Sequence, residues 1–118
     1  MKKLVLLWVI AVAATLLSGC SYDAVASCES ICEEGIADGC QPAGTNCEAQ
    51  CAGIQAQYDA AREDARTAGC VAELNASTRC FDSADPCATN NPCVSEGNAL
   101  IACFLEFCLE NPSSPVCM

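Results

Sequence analysis

Cys28-Glu29-Ser30-Ile31-Cys32 and Cys47-Glu48-Ala49-Gln50-Cys51 carry the same Cys-x3-Cys spacing, with fourteen residues between them. An i, i+4 pair shares one face of an α-helix, because 3.6 residues make a turn. Two such faces set against each other in an antiparallel hairpin put Cys32 opposite Cys47 near the loop and Cys28 opposite Cys51 one turn further out. Both pairs then lie within disulfide reach. Downstream the chain repeats itself: Cys70-Val71-Ala72-Glu73-Leu74-Asn75-Ala76, closing at Cys80, matches Cys93-Val94-Ser95-Glu96-Gly97-Asn98-Ala99, closing at Cys103, with six of eleven positions identical. A ten-residue step leaves the two sulfurs of each Cys-x9-Cys unit about 80° apart, on one side of a helix.

The punctuation around these segments is helical. Ser27 suits an N-cap for a first helix from Cys28 to Ala37, whose Cys28, Ile31, Cys32, Gly35 and Ile36 share a face, and Gly39 stops it. Thr45 or Asn46 caps a long second run from Cys47 to Ala68, with a stripe of Cys47, Cys51, Ile54, Tyr58, Ala61 and Ala65 ending at Gly69. Val71, Leu74, Thr78 and Phe81 mark a short third helix. Asn91-Pro92 opens a fourth, Cys93 to Glu110, which stops before Pro112. The stretch from Asp82 to Asn90 suits turns, pinned by Cys87. No segment alternates as a strand. The expected fold is all-α, a small disulfide-stapled bundle of about four helices in antiparallel hairpins. Its expected core is Ile31, Ile54, Leu100, Ile101, Phe104, Leu105 and Phe107. Phe104, Leu105 and Phe107 encircle the fourth helix, which is expected to be the central one. Cys40 and Cys70 flank the second helix about 33 Å apart, so they should not bond to each other. Partners for Cys40, Cys87, Cys108 and Cys117 stay open.

Composition explains why cysteine has to do this work. The chain has 118 residues, 13 of them cysteine. Its two lysines are Lys2 and Lys3, so residues 20–118 set three arginines against all 15 acidic side chains, a formal charge of −12. Leu, Ile, Val and Phe number only 15 in that stretch. So few large apolar residues at such a charge describe a disordered chain unless cross-links replace the missing core. Cysteine at this density belongs to exported scaffolds in oxidising compartments, where each bridge contributes about 2–4 kcal/mol. A surface so acidic cannot neutralise a phosphate backbone, so no nucleic-acid partner is expected.

The start of the chain reads as an address. Lys2 and Lys3 precede an uncharged run from Leu4 to Leu17, fourteen residues against the roughly 20 needed to cross a bilayer. The run ends in Leu17-Ser18-Gly19-Cys20, which resembles the lipobox of bacterial lipoproteins at all four positions. The resemblance implies cleavage after Gly19, a thioether-linked diacylglycerol on Cys20 and an acyl chain such as palmitate on the new amino terminus. No other cofactor is expected. Several buried chains hold far more durably than one. Removing Cys20 also turns an odd count of 13 cysteines into an even 12. Ser21, rather than Asp, follows the lipid site and by the same resemblance points to the outer membrane of the cell envelope, with the face left open. The expected organisation is a signal peptide at 1–19, a lipidated terminus and short tether at 20–27, and a cysteine-rich helical domain at 28–118. Seven tether residues reach at most about 25 Å.

The twin Cys-x3-Cys hairpin is similar in spacing to that of small mitochondrial intermembrane-space chaperones, and no activity comes with it. Twin Cys-x9-Cys hairpins are known too. That resemblance implies Cys70 with Cys103 and Cys80 with Cys93, although a Cys80 to Cys103 link would serve nearly as well. The mature chain looks like the small cysteine-rich lipoproteins, of uncharacterised function, that some gliding Gram-negative bacteria encode in numbers. This implies a place and no reaction.

Catalytic chemistry is thinly supplied. With no histidine, neither a histidine-activated nucleophile nor a mixed Cys/His zinc site can form, and no Cys-x2-Cys offers redox exchange. Glu33 with Glu34 and Glu63 with Asp64 are adjacent residues that do not face one another on a helix, and Asp82, Asp85 and Asn90 lack EF-hand spacing. No catalytic residue and no metal site are assigned, and the chain is not expected to be an enzyme. The expected role is a membrane-anchored structural or protein-interaction module. A cationic protein or peptide would be its partner, met by Glu48, Asp59, Glu63 and Asp64 on the second helix. A thiolate metal-binding protein is the alternative, if the cysteines stay reduced.

Overall fold

The computed structural model describes residues 22–118, so the expected signal peptide and Cys20 lie outside the described residues. These residues form a disulfide-stapled helical bundle: α1 (Ala24–Ala37), α2 (Cys47–Cys51), α3 (Ile54–Ala68), α4 (Val71–Ser83), α5 (Val94–Glu110) and a final 3-10 turn, Pro115–Cys117. Among the described residues there is no strand.

Three boundaries differ from the sequence reading, each for a local reason. α1 begins four residues earlier than Cys28, because the Asp23 carboxylate accepts the Ala26 N–H at 2.9 Å and caps the helix there. Ser27 therefore sits inside the helix, and Ala24 is buried. Most of the expected tether is thus part of the folded body. The long second helix is two helices. Asn46 caps α2 through a 3.0 Å bond from the Ala49 N–H, and the chain then turns at Ala52-Gly53, with Gly53 at φ +80°, before α3 starts. Only glycine takes that left-handed angle without a steric penalty. α5 starts at Val94, not Cys93, because the Asn91 side chain accepts the Cys93 N–H at 2.9 Å and holds Pro92 in a turn.

The twelve described cysteines form six disulfides with Cα–Cα distances from 5.5 to 5.9 Å. Cys28 is bonded to Cys51 and Cys32 to Cys47, which fastens α2 along α1. Cys70 is bonded to Cys103 and Cys80 to Cys93, which locks α4 and α5 antiparallel. A Cys80 to Cys103 link is not formed. Cys40 joins Cys87 across the two hairpins, and Cys108 joins Cys117 to fold the C-terminal turn back.

The core is small and sulfur-rich. Cys51, Cys70 and Cys93 are its largest fully buried side chains, and the central cluster is Ala65, Cys70 and Leu74. It forms where α3 passes to α4: Gly69 takes φ +73° and lets the Cys70 N–H bond the Ala65 carbonyl at 2.8 Å. α5 is not the central helix, since no residue from Val94 to Glu110 is buried. Only its Leu100, Cys103 and Phe104 side packs on the cluster, while Ile101, Leu105 and Leu109 are 59%, 60% and 84% exposed. Ile31, Ile54 and Phe107 are half-buried. The described residues hold too few helices to surround α5, so among them the apolar girdle seen in its sequence is uncovered on its outer side.

Candidate functional site

Where α1, α3 and the end of α4 meet, they leave a cleft of about 600 Å³. Ile31 comes from α1, Ile54 and Tyr58 from α3, and Phe81 and Asp82 from the last turn of α4, while Tyr22 closes one end. Cys28 and Cys32 form part of its wall, and their bridges fasten α1 to α2 there. A space of this size with mostly apolar walls and a few polar groups is the usual form of a ligand site.

One polar cluster sits at the edge. The Tyr22 hydroxyl donates to Asp82 Oδ1 at 2.7 Å, and the Ser27 hydroxyl donates to the same oxygen. The Tyr22 ring leans on Tyr58, with centroids 4.7 Å apart and planes tilted by 48°. Gln55 holds the chain entering α1 in place: its amide donates to the Tyr22 carbonyl at 3.2 Å and to Asp59 Oδ1 at 3.0 Å, and its carbonyl accepts the Ala24 N–H at 2.8 Å. The Tyr22 phenol titrates above the ordinary tyrosine value, chiefly because it is partly removed from water. The hydrogen bond with Ser27 acts the other way, and the Asp82 carboxylate adds to the rise.

The acidic residues expected to share one helix face do not. Glu48 is on α2, whereas Asp59, Glu63 and Asp64 are on α3 beyond the Gly53 turn. All four are exposed; Glu63 is paired with Arg66 at 3.2 Å, and Asp59 is engaged by Gln55. Such an exposed pair contributes little. Sequence reasoning did not find the cleft, because Tyr22 looked like tether, Tyr58 like packing and Asp82 like a turn former. Tyr22 and Asp82 are sixty residues apart, and no local spacing joins them.

Between α4 and α5 a second hollow of about 320 Å³ is lined by Glu73 and Glu96, the matching glutamates of the two repeats. Each stands in the first turn of its helix, where the helix dipole favours a negative charge, and each has one buried carboxylate oxygen without a hydrogen-bond partner. Cys80, Cys93 and Glu96 bring their donor atoms within 4.8 Å of one another, as do Asp38, Asp85 and Cys87. Cys80 and Cys93 are bonded to each other and Cys87 is bonded to Cys40, so none of these sulfurs is a thiolate here. Comparison of the chain with protein-family models, with curated proteins and with solved structures finds no match.

Proposed function

We propose that this chain is a membrane-anchored, cysteine-rich lipoprotein of the bacterial envelope that acts as a rigid structural or protein-interaction module without catalysis. Cys20 carries the lipid, the outer membrane is the site of attachment, and a cationic protein or peptide is the partner. The observation that supports this best is the complete pairing of the other cysteines: the twelve from Cys28 to Cys117 bond among themselves and leave none for Cys20. An unmatched cysteine at the end of a lipobox suits a lipid anchor. Disulfides in this number suit an oxidising compartment outside the cytoplasm.

Mass spectrometry of the protein recovered from membranes tests the reading. The expected amino-terminal fragment begins at Cys20 and carries diacylglycerol plus an acyl chain, and Cys20→Ala releases the protein from the membrane fraction. An unmodified Cys20, or a protein that stays membrane-bound without it, refutes the anchor. The Cys80, Cys93 and Glu96 cluster gives the metal-binding alternative its sulfur-richer foothold, since opening that bridge would expose two thiolates beside a carboxylate. Counting free thiols in gently recovered protein separates the two readings: near zero supports the module, and about twelve supports the metal binder.

A further inference from the structure

We propose that the cleft beside Tyr22 is the docking site of this module, and that it takes an arginine side chain of a basic peptide segment between the aromatic walls and the Asp82 carboxylate. The inference rests on the interaction reading above and assigns it a place and a preferred residue. Asp82 selects the sign of the ligand. Among the described residues, the hydrogen bonds to its carboxylate come from neutral hydroxyls, those of Tyr22 and Ser27, and both end on Oδ1. A carboxylate offers about four acceptor positions on two oxygens, so capacity remains for a charged donor.

The backbone strengthens this preference. Asp82 lies in the last turn of α4, Val71–Ser83, where the unsatisfied carbonyls of a helix carry partial negative charge. No basic residue stands in that turn to offset it. With residues 20–118 at a formal charge of −12, an anionic ligand would be repelled. A purely apolar ligand would strip water from Asp82 and give nothing in return.

The walls select among cations. Phe81, adjacent to Asp82, is 51% exposed, and Tyr58 presents a second ring to the cleft. A guanidinium is planar, stacks on aromatic faces and loses its hydration more readily than an ammonium, while it still forms charge-assisted bonds to a carboxylate. A volume of about 600 Å³ also accommodates more than one side chain, which suits a peptide segment over a free amine.

Calorimetric titration of the full, oxidised protein in detergent tests the proposal. The probes are three short peptides identical except for a central arginine, lysine or citrulline. The expected order is arginine above lysine, with no measurable binding of citrulline. Asp82→Asn keeps an acceptor for Tyr22 and Ser27 but removes the charge, and it should weaken the arginine peptide about tenfold. Tyr58→Leu keeps apolar bulk and should abolish the preference for arginine over lysine. The Glu63→Gln, Asp64→Asn double variant on the exposed face of α3 should change binding less than about twofold. Equal binding by Asp82→Asn and the parent, or equal losses in both acidic variants, overturns the site while the cationic partner stands. Failure of every peptide on the parent protein overturns site and cationic partner together, and leaves the lipid anchor to its own test.

Discussion

Cys40 and Cys87 form the one disulfide, among the described residues, that joins the α1–α2 hairpin to the α4–α5 hairpin, closing a separation of 47 residues. Every other bridge stays within one hairpin or the C-terminal turn. Both ends of this link lie in loops, so it sets the placement of one hairpin on the other without shaping either. Both hairpins also contribute walls to the cleft, α1 from one and the end of α4 from the other.

Removing that link should cost more than removing the short one at the C-terminus. In the chain-entropy account, a loop closed over 47 residues stabilises by about 4 kcal/mol, and one over 9 residues by about 3 kcal/mol. Thermal unfolding of Cys40→Ser, Cys87→Ser against Cys108→Ser, Cys117→Ser checks this. The first variant should have the lower midpoint while keeping its helical circular dichroism.

Full reduction should abolish the fold. The largest fully buried side chains are Cys51, Cys70 and Cys93, so breaking the bridges puts thiols in place of the interior. Far-ultraviolet circular dichroism in strong reductant should lose most of its helical signal. A compact helical form persisting under those conditions would contradict this account of stability.

At Gly53 an alanine should destabilise by about 1–2 kcal/mol, because φ is +80° and a side chain there strains the backbone even though an added Cβ meets nothing within 4 Å. Gly97 gives the opposite sign. It lies within α5 with open space around it, so Gly97→Ala should stabilise by about 0.4–1 kcal/mol. Denaturant midpoints of the two variants, measured side by side, should move in opposite directions.

Packing predicts a further contrast. Leu74 is 8% exposed and belongs to the central cluster, so Leu74→Ala should cost about 2–5 kcal/mol. Leu109 is 84% exposed, and Leu109→Gln should change stability by less than about 0.5 kcal/mol. Equal losses at the two positions would restore α5 to the centre of the bundle.

Alkaline pH should loosen the entry to α1. The Tyr22 phenol is held neutral above its ordinary range, first by burial. A raised pKa in the folded state means that the contribution is fully present below about pH 10, the unfolded value, and is lost as pH rises through the folded value. Tyr22→Phe cannot ionise, so the parent should lose more stability than the variant between pH 9 and pH 11 in denaturant titrations.

The hairpins were legible in the sequence because a cysteine repeat on a helix has only a few ways to meet a second one. The same reasoning did not reach the Cys40–Cys87 link, whose ends sit in two loops and carry no periodicity. The sequence reads as one long second helix because Cys51, Ile54 and Tyr58 keep helical spacing straight through Gly53, and an apolar stripe does not register one left-handed residue. The α5 sequence is apolar all round, which on its own describes a central helix. That pattern measures how much surface a helix could bury, and the number of neighbours decides how much it does. The cleft needed Tyr22, Tyr58 and Asp82 together, which only the assembled bundle provides.

The nesting of the bridges bears on how such a molecule is made. Twelve thiols admit on the order of ten thousand pairings, yet the native partners include couples only 9, 13 and 15 positions apart, whose short loops close at little entropic cost. Each half can therefore be oxidised, tested and reshuffled by an isomerase on its own. The Cys40–Cys87 bond differs from these in needing both halves in place before its ends can meet in their native geometry.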